Sequence, residues 1–189
     1  MVQAERPQIT LAWFLTLPET MPASEFIDGE ILRKPMPKGR HSRLQGALTS
    51  AINQATEPGR IALALPELRC SFGTRSIVPD IAVFTWERIP FAPDQDIPDD
   101  FDLPPDWMIE ILSPDQSPIR VIDNLLYGLR FGSRLGWLIS PAEQRILVFR
   151  PGQEAQVWQG DQGLPVLPPI PLALTPNQIF AWLRFPPQG

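Results

Sequence analysis

The chain has 189 residues, 43% of them hydrophobic and 20% charged, a length that suits one domain and a composition that excludes a disordered polyelectrolyte. Its formal net charge of −5 and pI near 4.9 argue against a globally basic nucleic-acid binder, although they leave room for local basic patches. The charge-free stretch from Pro7 to Pro18 is far shorter than the roughly 20 apolar residues of a membrane helix, and it lacks the flanks of a secretory signal. A single cysteine, Cys70, cannot form an internal disulfide, so a cytoplasmic address and no membrane partner are expected.

Thr10–Leu17 reads as a short helix ended by Pro18. Glu25–Leu32, with Asp28-Gly29 at its centre, reads as a β-hairpin. Between His41 and Ala55, Leu44, Ala47, Leu48, Ala51 and Ile52 recur at three- and four-residue spacing, which predicts an amphipathic helix. Ile61–Leu65, Leu68–Phe72 and Ile77–Phe84 read as strands, the acidic and proline-rich stretch from Ile89 to Pro105 as a loop, and Trp107–Leu112 as a further strand. Pro118–Phe131 is helical, with Gly132 as its stop. Strands at Gly136–Ile139, Arg145–Arg150 and Ala155–Trp158 and a last helix at Pro176–Leu183 follow. The order describes one mixed α/β (α+β) domain with a mostly β middle.

Charge is unevenly spread. Arg33, Lys34, Lys38, Arg40 and Arg43 fall close together, whereas Asp94, Asp96, Asp99, Asp100, Asp102 and Asp106 crowd another segment. Lysine occurs twice, at Lys34 and Lys38, against fourteen arginines. One His and one Cys exclude a Cys/His zinc cluster. No phosphate-cradling glycine loop or nucleophile elbow is present. A Cys70–His41 nucleophile pair is disfavoured because Cys70 sits inside an apolar run.

Two carboxylates run against the grain of their elements. Glu110 interrupts Trp107-Met108-Ile109 and Ile111-Leu112, on the same strand face as Met108 and Leu112. Asp80 stands near the start of an equally apolar strand. Buried carboxylates are costly unless paired or bound to a cation. Two strand-borne acids could share a divalent ion such as Mg²⁺, which takes one or two protein carboxylates. The other reading is structural, with Asp80 as a cap and Glu110 paired with an arginine such as Arg75 or Arg69. Spacing leaves both open.

Val78-Pro79-Asp80-Ile81-Ala82-Val83, then Ile109-Glu110-Ile111-Leu112-Ser113-Pro114-Asp115, then Leu135-Gly136-Trp137-Leu138-Ile139-Ser140-Pro141 resemble the Uma2 family of restriction-endonuclease-like bacterial proteins. Asp28-Gly29-Glu30, His41-Ser42 and Val148-Phe149-Arg150-Pro151-Gly152 extend the resemblance over about residues 20 to 185. It implies a PD-(D/E)xK core, a mixed central sheet flanked by helices, with Asp80 and Glu110 as ligands of Mg²⁺ or Mn²⁺. Glu30 would complete the acidic set. His41 would contact phosphate or cap its helix, with Arg40 and Arg43 beside it on the substrate side.

The pattern's lysine, two residues after the second acid, is Leu112 here, and the helix position that carries it in Uma2-type sequences is Asn124. Arg120, one turn earlier, is the nearest cation on that helix face and could stabilise phosphate charge but could not act as a base. Two functions follow as expectations. One is a metal-dependent endonuclease acting on nucleic acid, DNA ahead of RNA, built as a homodimer by analogy with the fold. The other is a catalytically weakened relative that binds nucleic acid or protein.

Overall fold

Asp28 and Gly29 both take positive φ, 50° and 89°, which closes a two-residue turn between β1 (Ser24–Ile27) and β2 (Glu30–Arg33). Glycine and aspartate enter this left-handed region at low steric cost, so the Asp-Gly pair sets the hairpin register. The computed structural model describes residues 9–94, 96–114 and 116–185; Asp115 of the Ser-Pro-Asp motif lies outside them. Among the described residues the hairpin belongs to a four-stranded sheet ordered β2-β1-β5-β4, with β4 (Cys70–Phe72) and β5 (Arg75–Ile77).

A second sheet forms the centre, ordered β10-β9-β8-β7-β6-β3. It comprises β3 (Ala62–Pro66), β6 (Ile81–Thr85), β7 (Trp107–Ile111), β8 (Leu135–Ser140), β9 (Arg145–Phe149) and β10 (Gln156–Trp158). β7 and β8 are parallel and are joined by the crossover helix α3 (Pro118–Arg130); the other pairs are antiparallel. This mixed sheet with flanking helices is the α+β architecture expected. One boundary differs: Ile77–Phe84 is not one strand. Pro79 has no N–H to donate, and the chain leaves the small sheet after Ile77 and enters the central one at Ile81.

The strands β6, β7 and β8 are buried on both faces, and their alternation sorts residues between two cores. Ile81, Val83, Trp107, Ile109 and Ile111 face α2 (Gly39–Thr56) and α4 (Pro176–Ala181), packing on Leu44, Leu48, Ile52 and Ile179. Ala82, Phe84 and Met108 face α3 and the small sheet, packing with Leu125, Ile27, Phe72 and Ile77. Gly128 lets α3 press onto β7, since a Cβ there would collide with the Met108 sulfur and come within 3.0 Å of the Ser133 hydroxyl. A short helix α1 (Leu11–Phe14) is capped by Thr10 and stacks Phe14 on Phe26. Cys70 is fully buried and its thiol is pushed up to about 12 by burial, which suits a packing role. Trp158 packs against the core, so the exposed residues of the β10 edge are Gln156 and Val157. Among the described residues no helix is long and apolar enough to cross a membrane.

Candidate active site

Antiparallel register brings the two sequence-marked acids together. Ile81 pairs with Ile109 and Ala82 with Met108, so the next step outward sets Asp80 opposite Glu110 on the face shared by Ala82 and Met108. Both side chains are buried, at 2% and 3% exposure. β1 adds a third acid: Glu25 shares a face with Ile27 and is 6% exposed, and its Oε1 accepts from the Val78 backbone N–H at 2.9 Å. Neither Arg69 nor Arg75 serves these acids. Arg69 pairs with Glu19, and Arg75 with Asp28 and Asp123.

The cation among them is Lys34, in the residue after β2. Its backbone N–H bonds Ala23 O, extending the hairpin by one step, and its side chain turns inward. Nζ lies 2.7 Å from Asp80 Oδ1 and 3.9 Å from Glu110 Oε2, and donates to Val78 O at 2.6 Å. The second oxygen of Asp80 accepts from the Ile111 N–H at 2.7 Å and lies 2.9 Å from His41 Nε2. A carboxylate facing that ring nitrogen places the proton on Nε2, while Nδ1 is buried without a partner among the described residues. Gln45, one turn further along α2, donates to the Asp80 carbonyl at 2.8 Å. The start of α2 is thereby fixed over Asp80.

Electrostatics divide the acids. Burial pushes Asp80 up, but Lys34 and the His41 contact overcome it and hold Asp80 well below the carboxylate range. Burial pushes Glu110 well above its ordinary range; Lys34 offsets this in part, and the charges of Asp80 and Glu25 add to it. Glu25 is raised chiefly by burial. For Lys34, burial alone would lower the ammonium, yet Glu110, Asp80 and Glu25 together raise it. One buried ammonium thus faces three buried acids, of which Asp80 most firmly holds its charge.

Asn124 reaches the same cluster from α3. Its Nδ2 lies 3.5 Å from Glu25 Oε2, and its Oδ1 is buried without a partner among the described residues. Arg120 is exposed, on the rim of a cleft of ≈ 210 Å³ that it shares with Glu25, Arg33, Lys34 and Ser117. The remaining expectations need correction. Glu30 is exposed at the turn end of the outer strand β2, opposite Ile27, and the acid this hairpin contributes is Glu25. Arg40 donates to Pro141 O at 2.8 Å, and Arg43 donates to Trp182 O at 3.1 Å and lies over the Phe185 ring. Both brace neighbouring segments. His41 faces Asp80 through Nε2 and lines the small cavity beside it.

Leu112 is half-buried and places no cation. No lysine stands at positions 112 or 124; the lysine beside the acids is Lys34, brought there from the hairpin. Glu25 was open to the face argument used for Glu110, because it alternates with the apolar Ile27. For Lys34 the only hint was scarcity, as one of two lysines within a basic run.

Known proteins bear on this cluster. The chain matches the Uma2 family model, described as "Putative restriction endonuclease", over residues 11–179. The chain belongs to the Uma2 family. Among solved structures, a crystal structure from Anabaena variabilis ATCC 29413, described as "a putative nuclease belonging to DUF820", is 50% identical and superposes with a TM-score of 0.92. That match covers 93% of this chain and 99% of the other, so the Uma2 domain described above is shared nearly end to end. No curated protein matches.

The donor set suits a small hard cation. Asp80 and Glu110 offer carboxylate oxygens around the Lys34 ammonium, and a cavity of ≈ 20 Å³ lined by Asp80, Lys34 and His41, though not by Glu110, lies beside them. No group of three or more His, Cys, Asp or Glu side chains among the described residues is disposed as a metal cage. A bound ion would therefore rest on two carboxylates and keep water or phosphate in its other positions, as Mg²⁺ commonly does.

Proposed function

We propose that this Uma2 protein is an endonuclease that hydrolyses phosphodiester bonds of nucleic acid, DNA ahead of RNA, with Asp80 and Glu110 holding Mg²⁺ or Mn²⁺. The observation that carries this reading is the convergence of Asp80, Glu110, Glu25 and Lys34 beside an open cleft. A structural core has little use for three buried acids against one ammonium, whereas a metal-dependent site needs that surplus of negative charge.

When bound, the ion would polarise the phosphate and promote attack by water. The chain's own residues do the rest. His41 and the Ile111 N–H fix one oxygen of Asp80, leaving the other for a cation. Lys34 supplies a positive charge that, once off Asp80, can face the phosphate or its attacking water. Arg120 on the cleft rim offers permanent positive charge to the phosphate backbone without any capacity to take a proton, whereas the Arg33 guanidinium beside it is bonded to Met21 O and Pro22 O. Asn124, held by Glu25, keeps a carbonyl oxygen unspent, suited to orienting a water. The alternative of a weakened binding module drew its support from the missing lysine, and Lys34 removes that motive.

The test is nicking of supercoiled plasmid, with single-stranded DNA and RNA as competing substrates, in Mg²⁺ or Mn²⁺ and in chelator. Cleavage that requires metal and is lost in D80N supports the reading. Tight binding of nucleic acid without cleavage under any metal would replace it with the binding-module alternative.

A further inference from the structure

Lys34 lies on the wall between two spaces. It lines the ≈ 20 Å³ cavity with Asp80 and His41, and also the ≈ 210 Å³ cleft with Arg33, Ser117 and Arg120. In the structure its Nζ takes the first option, 2.7 Å from Asp80 Oδ1 and 3.9 Å from Glu110 Oε2. It is thus the shared neighbour of the two acids proposed to hold a metal, and neither space is lined by Glu110. An ammonium and a divalent ion cannot both occupy the neighbourhood of those oxygens without strong like-charge repulsion. The lysine stem is flexible, with an apolar chain that slides along its surroundings and a head that can be re-aimed.

Resting on the metal site proposed above, we infer that Lys34 is a tethered counter-ion that closes the two-carboxylate site in the resting protein. Binding of a divalent ion displaces its ammonium into the cleft lined by Arg33, Ser117 and Arg120. There it meets the phosphate, so metal entry and presentation of the lysine to the substrate are one event. Without metal, Lys34 neutralises Asp80 and the site is self-contained. With metal, the Lys34 ammonium joins Arg120 at the cleft. By linkage, an anion bound in the cleft favours the displaced lysine and so favours metal.

Two lysines in the whole chain make the test direct. Acetylation with an N-hydroxysuccinimide ester, read by peptide mass spectrometry, reports Lys34 against the exposed Lys38 in the same sample. In chelator Lys34 should be protected relative to Lys38; with Mg²⁺ at saturation, established by calorimetry on the same protein, its labelling should rise about tenfold or more, as for a group whose buried state has been displaced by at least that factor. Lys34 labelling that is unchanged when Mg²⁺ is bound overturns the inference, as does a Lys34 already reactive in chelator.

Lys34→Met supplies the second measurement. Removing the competing charge should tighten Mg²⁺ binding by about tenfold or more, and Mg²⁺ should raise the melting temperature of K34M more than that of wild type. Equal affinities would overturn the inference while leaving the metal site intact. Absence of Mg²⁺ binding in both proteins would overturn the metal site and the inference together. Should K34M fail to fold, wild-type labelling decides alone.

Discussion

Two buried aspartates lie at opposite ends of the β6–β7 pair and have different surroundings. Asp106 is fully buried, and every side of its carboxylate is met by a donor: Thr85 N–H at 2.8 Å, Thr85 hydroxyl at 3.0 Å, Arg88 at 2.8 Å and Arg134 at 3.7 Å. Asp80 is buried almost as deeply, but its ammonium partner is shared with Glu110 and lies within the field of Glu25. Around Asp106 two guanidiniums serve one acid; around Asp80 one ammonium serves three. The first ratio completes a structure and the second leaves a demand for positive charge. Burial alone does not distinguish the two carboxylates; the count of cations around each does.

Substitution of each aspartate should dissociate activity from stability. Asp80→Asn is expected to reduce metal-dependent nicking roughly 10³-fold, since the ion's stabilisation of the transition state amounts to several kcal/mol. The same variant should also lose about 2–3 kcal/mol of stability, because its amide turns a donor toward the Lys34 ammonium, a cost that a proton leaving Glu110 offsets in part. Asp106→Asn should cost stability alone. Its amide would turn donors toward Arg88 or Thr85 and cost about 2–3 kcal/mol, a fall of roughly 5–10 °C in Tm for a chain this size, with nicking per folded molecule unchanged. Melting curves beside initial nicking rates read both. Equal activity losses would abolish the distinction drawn here.

The titration of the surplus acid sharpens the comparison further. Glu110 is raised above its usual 4.5, first by burial and then by Asp80 and Glu25. The folded state therefore binds its proton more tightly than the unfolded chain does. That contribution is complete below about pH 4.5 and is lost as pH rises through the folded value. Asp80, held low, works in the opposite sense: its contribution is present above its unfolded value of 3.8 and is lost as pH falls. Glutamine mimics protonated Glu110 and does not titrate. The Tm of Glu110→Gln should match wild type near pH 4.5 and exceed it increasingly as pH rises, by about 1.4 kcal/mol for each tenfold change in proton affinity, or roughly 3–5 °C. Parallel Tm–pH curves for the two proteins would mean that Glu110 carries no strain of charge.

Asp80 and Glu110 were legible because strands alternate with period two, so an acid among apolar neighbours at i±2 must face a core. The central sheet and its crossover helix were legible for a similar reason: their apolar spacing is long and regular. Lys34 was not, because its position depends on the small sheet folding across the end of β6, a tertiary contact with no local signature. Pro35 and Pro37 follow it with loop signals, and nothing in the run from Arg33 to Arg43 distinguishes the inward lysine from its outward neighbours. The exchange of Glu25 for Glu30 has the same origin. Both sit on the hairpin, and only packing against Val78 and Asn124 shows which end of it is buried.

The smallest expected effect compares two exposed arginines. Arg120 rims the cleft beside Lys34 and makes no hydrogen bond or ion pair among the described residues. Arg134 is about half exposed and lies 3.7 Å from Asp106. If the cleft follows a phosphate backbone, Arg120→Ala removes one phosphate contact. KM for DNA should then rise about two- to fivefold with kcat unchanged, and the slope of log affinity against log salt should become shallower by about 0.9. Arg134→Ala should leave that slope alone, because its charge is committed to a carboxylate at the far end of the strand pair. A fall in kcat for R120A would move Arg120 from the rim to the reacting phosphate. Identical slopes for both variants would mean that the nucleic acid approaches by another face, and Lys34 would then have to reach its phosphate from the Asp80 side.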